Sequence, residues 1–338
     1  LFNLIHLAKK DNKKLIALCM GERGEISRIL SPLLGSFLTF GSLETGKESA
    51  PGQITAANLR NVYRVCDKRD SFKIYGVIGN PVYKSMGYLI HNIAFKDVKS
   101  PDIYVPFLVD NVKKFFKDFS PYFDGLSVTM PFKEEIIPLL DKVEENAEKI
   151  GAVNTVVRDG EGWKGYNTDC SGAIKALEKH TDLNRKKILI IGAGGTAKAI
   201  AHGVIAKGAK VTITYNRNKE KVIKLAKALQ AKVVSIQEAG EETVDVIINC
   251  SPVGMSPNVE ETPIPSRFLH KGMVVFDSVY NPPETALIRE ANTAGCITIS
   301  GVELFINQAV EQFELWNKQK APTAPMSDII LRTIKVNA

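Results

Sequence analysis

Two polar stretches carry the side chains best suited to chemistry. In "SVTMPFKEE" an apolar run ends with Ser127 and Thr129, and Lys133 follows a little further on. In "GYNTDCSG" a tight polar turn presents Asn167, Thr168 and Asp169. A lysine can donate a proton to a carbonyl oxygen that is becoming an alkoxide. An aspartate beside it can hold that lysine charged and oriented. The two lie in separate strand-end loops, so they form a pair only if the fold closes one cleft over both. Each also has a plainer reading, a solvated lysine at a helix start and an Asx-turn.

A third stretch, "IIGAGGTAKAI", follows an apolar run and opens a helix. Gly192 permits the tight turn, Ala193 fills the next position, and Gly194 lets backbone approach a pyrophosphate beside Gly195. The helix then aims its dipole and N-terminal N–H groups at the phosphates. Ala197 stands where a third glycine is usual, which the motif allows. After the next strand-like run comes "TYNRNKEK". A carboxylate there would accept the ribose hydroxyl of NAD. Asn216, Arg217, Lys219 and Lys221 stand there instead, and a guanidinium suits a 2′-phosphate. This spacing predicts NADP as the cofactor.

The elements that must place these residues are legible in outline. "KIYGVIG", "IYVPFLV", "GLSVTM", "AVNTVVRD" and "GWKGYNT" read as short strands of an α/β domain with a mixed or mostly parallel sheet. "HNIAFKDV", "NVKKFFKDFS" and "KEEIIPLLDKVEENAEKI" read as its helices. From Lys186 a strand, glycine turn, helix and strand begin a second unit, which "VDVIINCS", "MVVFDSVY" and "CITISG" continue. "VELFINQAVEQFELWNKQ" has apolar residues at helical spacing. Before all this, "LIALCM" and "SFLTFGS" read as strands. "GERGEISRILSPLLG" reads as a loop with a helical turn, and "TAANLRNVYRVCD" as a helix capped by Thr55. That first region is too small to close a core alone. The expected divisions are 1–68, 73–172, 173–300 and 301–338.

Bulk properties narrow the class. A chain of 338 residues exceeds one ordinary core. The net charge of +7 is spread without a dense basic run, which argues against a nucleic-acid partner. No apolar run approaches the roughly 18 residues of a membrane span. Cys19, Cys66, Cys170, Cys250 and Cys296 form no C-x-x-C pair, and the histidines show no metal-ligand spacing, so neither a disulfide scaffold nor a metal site is expected. The chain opens "LFNLIHLAKK", without Met, and reads as the middle of something longer.

"GNPVYKSMGYLIHN", "SVTMPFK", "GAVNTVV", "GYNTD", "GAGGTAKA", "NR" and "SPVGM" together resemble, in order, the signatures of the shikimate dehydrogenase family. "MGERGEISRIL", "FLTFGSLE" and "SAPGQIT" resemble the last two units of type I 3-dehydroquinate dehydratase, a TIM barrel. Together they resemble the fused dehydratase–dehydrogenase, truncated inside its first domain. The implied fold is an N-terminal α/β substrate domain plus a Rossmann domain, with C-terminal helices packing back on the former. The implied reaction is reversible, NADP-dependent reduction of 3-dehydroshikimate to shikimate. Lys133 and Asp169 match the catalytic pair. Ser85, Thr129, Asn154, Thr168, Tyr280 and Gln308 match substrate-binding positions. The cofactor would meet Gly192, Ala193, Gly194, Gly195, Asn216, Arg217, Lys221, Ser251, Met255 and Gly301. Arg28, Ser49 and Gln53 match dehydratase residues, but that domain's lysine and histidine would lie upstream of Leu1, so no dehydratase activity is expected. The resemblance implies a monomer or weak oligomer in plastid stroma or bacterial cytoplasm.

One departure stands out. The family loop usually carries two serines two apart, yet Ser85 is followed by Met86 and Gly87. A lost hydrogen bond to a charged carboxylate puts about 1.5–3 kcal/mol at stake. Lys84 could compensate with charge. Alternatively, Gly87 could leave room for the bulkier, hydroxylated first carbon of quinate, and quinate dehydrogenase is then the rival reading. A nucleotide-binding regulator without activity is a third. On the simplest view, Gly87→Ser should strengthen shikimate binding.

Overall fold

The computed structural model describes residues 1–337 except Lys68, Asp70, Lys84, 216–218 and 241–242, and the side chains of 335–337. Two six-stranded sheets form its frame. The first contains β1 (Ile74–Gly79), β2 (Ile103–Leu108), β3 (Gly125–Val128), β4 (Lys142–Val143), β5 (Thr155–Asp159) and β6 (Gly162–Tyr166). Their spatial order is β2-β1-β3-β5-β6-β4. β1 lies parallel to β2 and β3, whereas β5 runs antiparallel to β3 and β6, so the sheet is mixed. β1 is buried at every position, which is why it reads as an unbroken apolar run.

The second sheet contains β7 (Lys187–Ile191), β8 (Lys210–Tyr215), β9 (Lys232–Ser235), β10 (Val246–Asn249), β11 (Val274–Asp277) and β12 (Ile297–Ile299). All its pairings are parallel, in the order β12-β11-β10-β7-β8-β9. This is the doubly wound dinucleotide-binding order, with its switch point at β7 and β10.

The C-terminal helices Gly301–Asn317 and Thr323–Asn337 return to the first sheet. Phe313, Trp316, Met326 and Ile330 share one buried cluster with Tyr75, Phe95 and Tyr104. The Trp316 indole donates to the carbonyl of Val156 at 3.0 Å. Helix Thr168–Glu178 lies so close to Gly301–Asn317 that a Cβ on Gly172 would sit 3.0 Å from the Gln308 nitrogen.

The N-terminal region differs from expectation. Residues 15–20 and 36–41 form no strand; an isolated bridge joins Ser42 to Thr55. An apolar extended segment becomes a strand only beside a neighbour that takes its backbone groups, and these segments find no ladder among the described residues. In contrast, "GERGEISRILSPLLG" supplies more than a turn, a helix over Glu25–Leu34. Thr55 caps Ala56–Asn61 by accepting from the Asn58 N–H, although that helix is shorter than its sequence pattern. Ile29, Leu30, Ile54, Leu59 and Tyr63 join the core of the first sheet, so this region docks there.

The helix expected from Lys133 onward is also broken. Residues 130–136 are turns, a 3-10 turn spans Ile137–Leu139, and only Glu145–Ile150 is α-helical. Pro138 has no N–H, and its ring opposes the preceding turn, which ends helical propagation there.

Candidate active site

Lys133 sits on the turn after β3, and Asp169 in the first turn of helix Thr168–Glu178. Asn167 caps that helix by accepting from Cys170 N–H, and its own amide donates to the Ala152 carbonyl at 2.8 Å. The predicted turn is therefore a capped helix start. Lys133 Nζ donates to Asp169 Oδ2 at 2.5 Å and to Thr196 Oγ1 at 3.2 Å. Asn154 Nδ2 donates to Asp169 Oδ1 at 2.8 Å and to Thr168 Oγ1 at 3.0 Å. Both carboxylate oxygens thus have donors. The two side chains of the ion pair are only 14% and 10% exposed, so water screens them little.

Thr196 lies on helix Gly195–Ala206, which starts at the glycine loop. The Lys133 contact therefore joins the first sheet's loop to the second unit, as does the pairing of Lys198 with Glu134 at 2.8 Å. Gly192 has φ +111°, a backbone region that favours glycine, and a Cβ there would meet the Cys250 carbonyl at 3.2 Å. At Gly194 a Cβ would have open space, and no side chain caps the helix. An uncapped helix start beside an open backbone, at the sheet's switch point, fits a pyrophosphate. Gly195 serves differently: a Cβ there would stand 2.8 Å from Lys133 Cδ. Ala193 is half-buried in the loop. Ser251 donates its hydroxyl to Asn249 Oδ1 at 2.7 Å, Met255 follows in the same loop, and Gly301 begins its helix with backbone pressed on Val279. Lys221 is in the first turn of Lys219–Leu229. Asn216 and Arg217 lie outside the described residues.

A second cluster surrounds the start of helix Gly87–Asp97. Ser85 Oγ accepts from the Gly87 N–H at 3.2 Å. Tyr280 stacks on Phe305 at 4.6 Å; burial pushes its phenol up to about 12, while the Met86 N–H acts in the opposite sense. A Cβ on Gly87 would lie 2.9 Å from the Tyr104 hydroxyl. A side chain at 87 would thus press on Tyr104. Thr129 tucks its methyl against Gly79, where a Cβ would have no room. Gln308 donates to the Phe305 carbonyl of its own helix at 2.8 Å.

Arg28, Ser49 and Gln53 belong to the N-terminal region. Arg28 is buried and reaches the Pro51 carbonyl at 3.5 Å, while Ser49 Oγ donates to Gln53 Oε1 at 3.3 Å on the surface. Sequence reasoning missed Thr196, Thr155, Gln312 and Tyr104. Only adjacency hinted at the first two, which directly follow the glycine loop and Asn154. Among the described residues, no group of three His, Cys, Asp or Glu side chains is placed to hold a metal ion, and no helix is long and apolar enough to cross a membrane.

A parallel dinucleotide-type sheet beside a mixed sheet, with a part-buried lysine–aspartate pair at their junction, defines a two-domain nucleotide-binding α/β protein. Four family models match the chain: type I 3-dehydroquinase over residues 1–70, the shikimate dehydrogenase substrate-binding domain over 77–156, a coenzyme F420-dependent NADP oxidoreductase over 187–277, and the shikimate 5′-dehydrogenase C-terminal domain over 301–331. The bifunctional chloroplastic 3-dehydroquinate dehydratase/shikimate dehydrogenase of Arabidopsis thaliana is 42% identical over 94% of this chain, which spans 56% of that relative's length. Shikimate dehydrogenase (NADP(+)) of Methanothermobacter thermautotrophicus is 35% identical, covering 77% of this chain and 96% of its own. A solved shikimate dehydrogenase in complex with NADP+ superimposes with TM-score 0.75 at 35% identity, covering 79% of this chain and 98% of that one. The chain belongs to the shikimate dehydrogenase family.

Proposed function

We propose that this protein catalyses reversible, NADP-dependent reduction of 3-dehydroshikimate to shikimate. The observation that carries the reading is the Lys133–Asp169 pair, 2.5 Å apart and tied through Thr196 to the helix of the glycine loop. NADPH, when bound, supplies the hydride to the ketone carbon. Lys133 donates the proton to the carbonyl oxygen, or stabilises it as it becomes an alkoxide. Asp169 keeps the lysine charged and directed, and Asn154 holds the aspartate's other oxygen. Ser85, Thr129, Thr168, Tyr280 and Gln308 are assigned to the hydroxyls and carboxylate of the substrate. Asn216 and Arg217 are assigned to the 2′-phosphate on the chemistry of a guanidinium alone.

The rival substrate is quinate, favoured by the hydroxyl missing at Gly87. The relatives favour shikimate, since the Arabidopsis and Methanothermobacter proteins are both named as shikimate dehydrogenases. Initial rates with shikimate and quinate, each with NADP⁺ and NAD⁺, test both assignments. Highest kcat/KM for shikimate with NADP⁺ is expected. A higher value for quinate would move the assignment to quinate oxidation, and preference for NAD⁺ would remove the phosphate role from Arg217.

A further inference from the structure

The polar groups behind Asp169 form a chain in which each donor has one direction. The carbonyl of Asn154 only accepts, so the Gln312 side chain must turn Nε2 toward it, at 3.3 Å. Gln312 Oε1 then faces Ser127 Oγ at 2.8 Å and His91 Nε2 at 3.3 Å. Ser127 is free to donate there because its own oxygen accepts from the Tyr104 hydroxyl at 2.8 Å. Gln312 Nε2 also donates to Thr155 Oγ1 at 3.0 Å. Thr155 has a single hydroxyl proton, and it goes to Asn154 Oδ1 at 2.7 Å. Asn154 Oδ1 takes the Thr168 N–H as well, at 2.8 Å. That leaves Asn154 Nδ2 facing Asp169 Oδ1, opposite the oxygen held by Lys133. Asn154, Thr155 and Gln312 are all buried, so no water competes for these bonds.

We propose that Thr155 and Gln312 are positioning residues for the Lys133–Asp169 pair, acting through the amide of Asn154. Without the Thr155 proton, Asn154 Oδ1 loses its firmest side-chain donor and keeps the Thr168 N–H, so the amide is held less tightly and its grip on Asp169 Oδ1 loosens. The inference rests on the dehydrogenase reading for its kinetic consequences, though not for its geometry.

The test compares Thr155→Val, which keeps the shape and removes the hydroxyl, with Thr155→Ser, which keeps the hydroxyl. One readout is solvent exchange of the Asn154 side-chain amide protons, followed by 15N NMR in the full chain without substrate. The other is kcat and KM with shikimate and NADP⁺. Thr155→Val is expected to speed amide exchange and lower kcat about tenfold, with NADP⁺ affinity unchanged, as expected for one lost buried hydrogen bond. Thr155→Ser should recover both to near the wild-type values. Wild-type exchange and kcat in Thr155→Val would overturn the proposal, as would a serine variant that fails like valine. Should Thr155→Val not fold, Gln312→Met removes the same chain one step back and is read in the same way. Absence of turnover in the wild type would strike the functional reading alone, because amide exchange needs no substrate.

Discussion

The Tyr104 hydroxyl stands 2.9 Å from the point where a side chain on residue 87 would begin, so Gly87 and Tyr104 are a matched pair. Tyr104 is held by a stacked His91 at 4.4 Å and by its bond to Ser127, and cannot yield cheaply. Gly87→Ser is therefore expected to weaken shikimate binding, opposite to the simplest sequence expectation. Adding Tyr104→Phe, which removes the opposing oxygen, should recover part of the loss. The KM for shikimate across the two single variants and the double variant checks this. A Gly87→Ser enzyme that binds shikimate more tightly would show that the pair is not matched.

Lys133→Ala should lower kcat roughly 10²- to 10⁴-fold, the usual worth of a positioned general acid. NADP⁺ affinity, measured by fluorescence titration, should change little. Near-normal turnover would reject the assigned role.

Gly195→Ala probes a different cause. A Cβ at 195 would press on Lys133 Cδ at 2.8 Å, while the phosphate-facing backbone is untouched. The substitution should lower kcat at least tenfold by displacing the lysine, a loss of about 1.4 kcal/mol in transition-state stabilisation, and change NADP⁺ affinity less. A loss confined to NADP⁺ binding would place the glycine's role at the cofactor.

Two buried groups set opposing pH slopes. Burial lowers His91 to about 3, with its hydrogen bond to Gln312 acting in the opposite sense. The unfolded chain therefore binds this proton first, and stability present above pH ~6.5 is lost as pH falls toward 3. Burial raises Asp277 to about 6, against bonds from Thr285, Val279 and Asn249. Its contribution runs the other way, fully present below pH ~4 and lost as pH rises through 6. His91 thus makes stability fall on acidification, and Asp277 opposes that fall between pH 6 and 4. Asp277→Asn removes the counter-slope, and its unfolding free energy in urea should drop more steeply than wild type between pH 6 and 4. Parallel curves would mean that Asp277 ionises normally.

The N-terminal region should open first. Phe37, Phe40 and Leu43 are exposed, and residues 36–55 join no sheet ladder among the described residues, being held by an isolated bridge and scattered loop bonds. Few backbone bonds and little burial give a low local opening energy. Limited proteolysis with mass spectrometry should show early cuts in this stretch, leaving the two sheets intact. Equal early cutting within β1–β3 would contradict this.

Much of this protein was legible in order along the chain. Buried parallel strands such as β7 and β10 are unbroken apolar runs, and a glycine turn before a helix states its own backbone requirement, so the nucleotide-binding unit could be read from local pattern. Lys133 and Asp169 were identifiable as candidates because their residue types suit the chemistry, whereas Asn154 entered only through the family resemblance. What local pattern cannot encode is who stands opposite whom. The strands expected near residues 15–20 and 36–42 depended on neighbours, and Pro138 outweighed a helical run. Gly87 read as a lost hydroxyl until Tyr104, on β2, was found against it. Gly195 looked like a phosphate glycine until Lys133 was found against it. Gln312 looked like one polar residue on an amphipathic helix, yet packing turns it into the anchor behind Asn154. Such pairings arise from packing at close range and from single-direction hydrogen bonds, and these are settled only when distant segments meet.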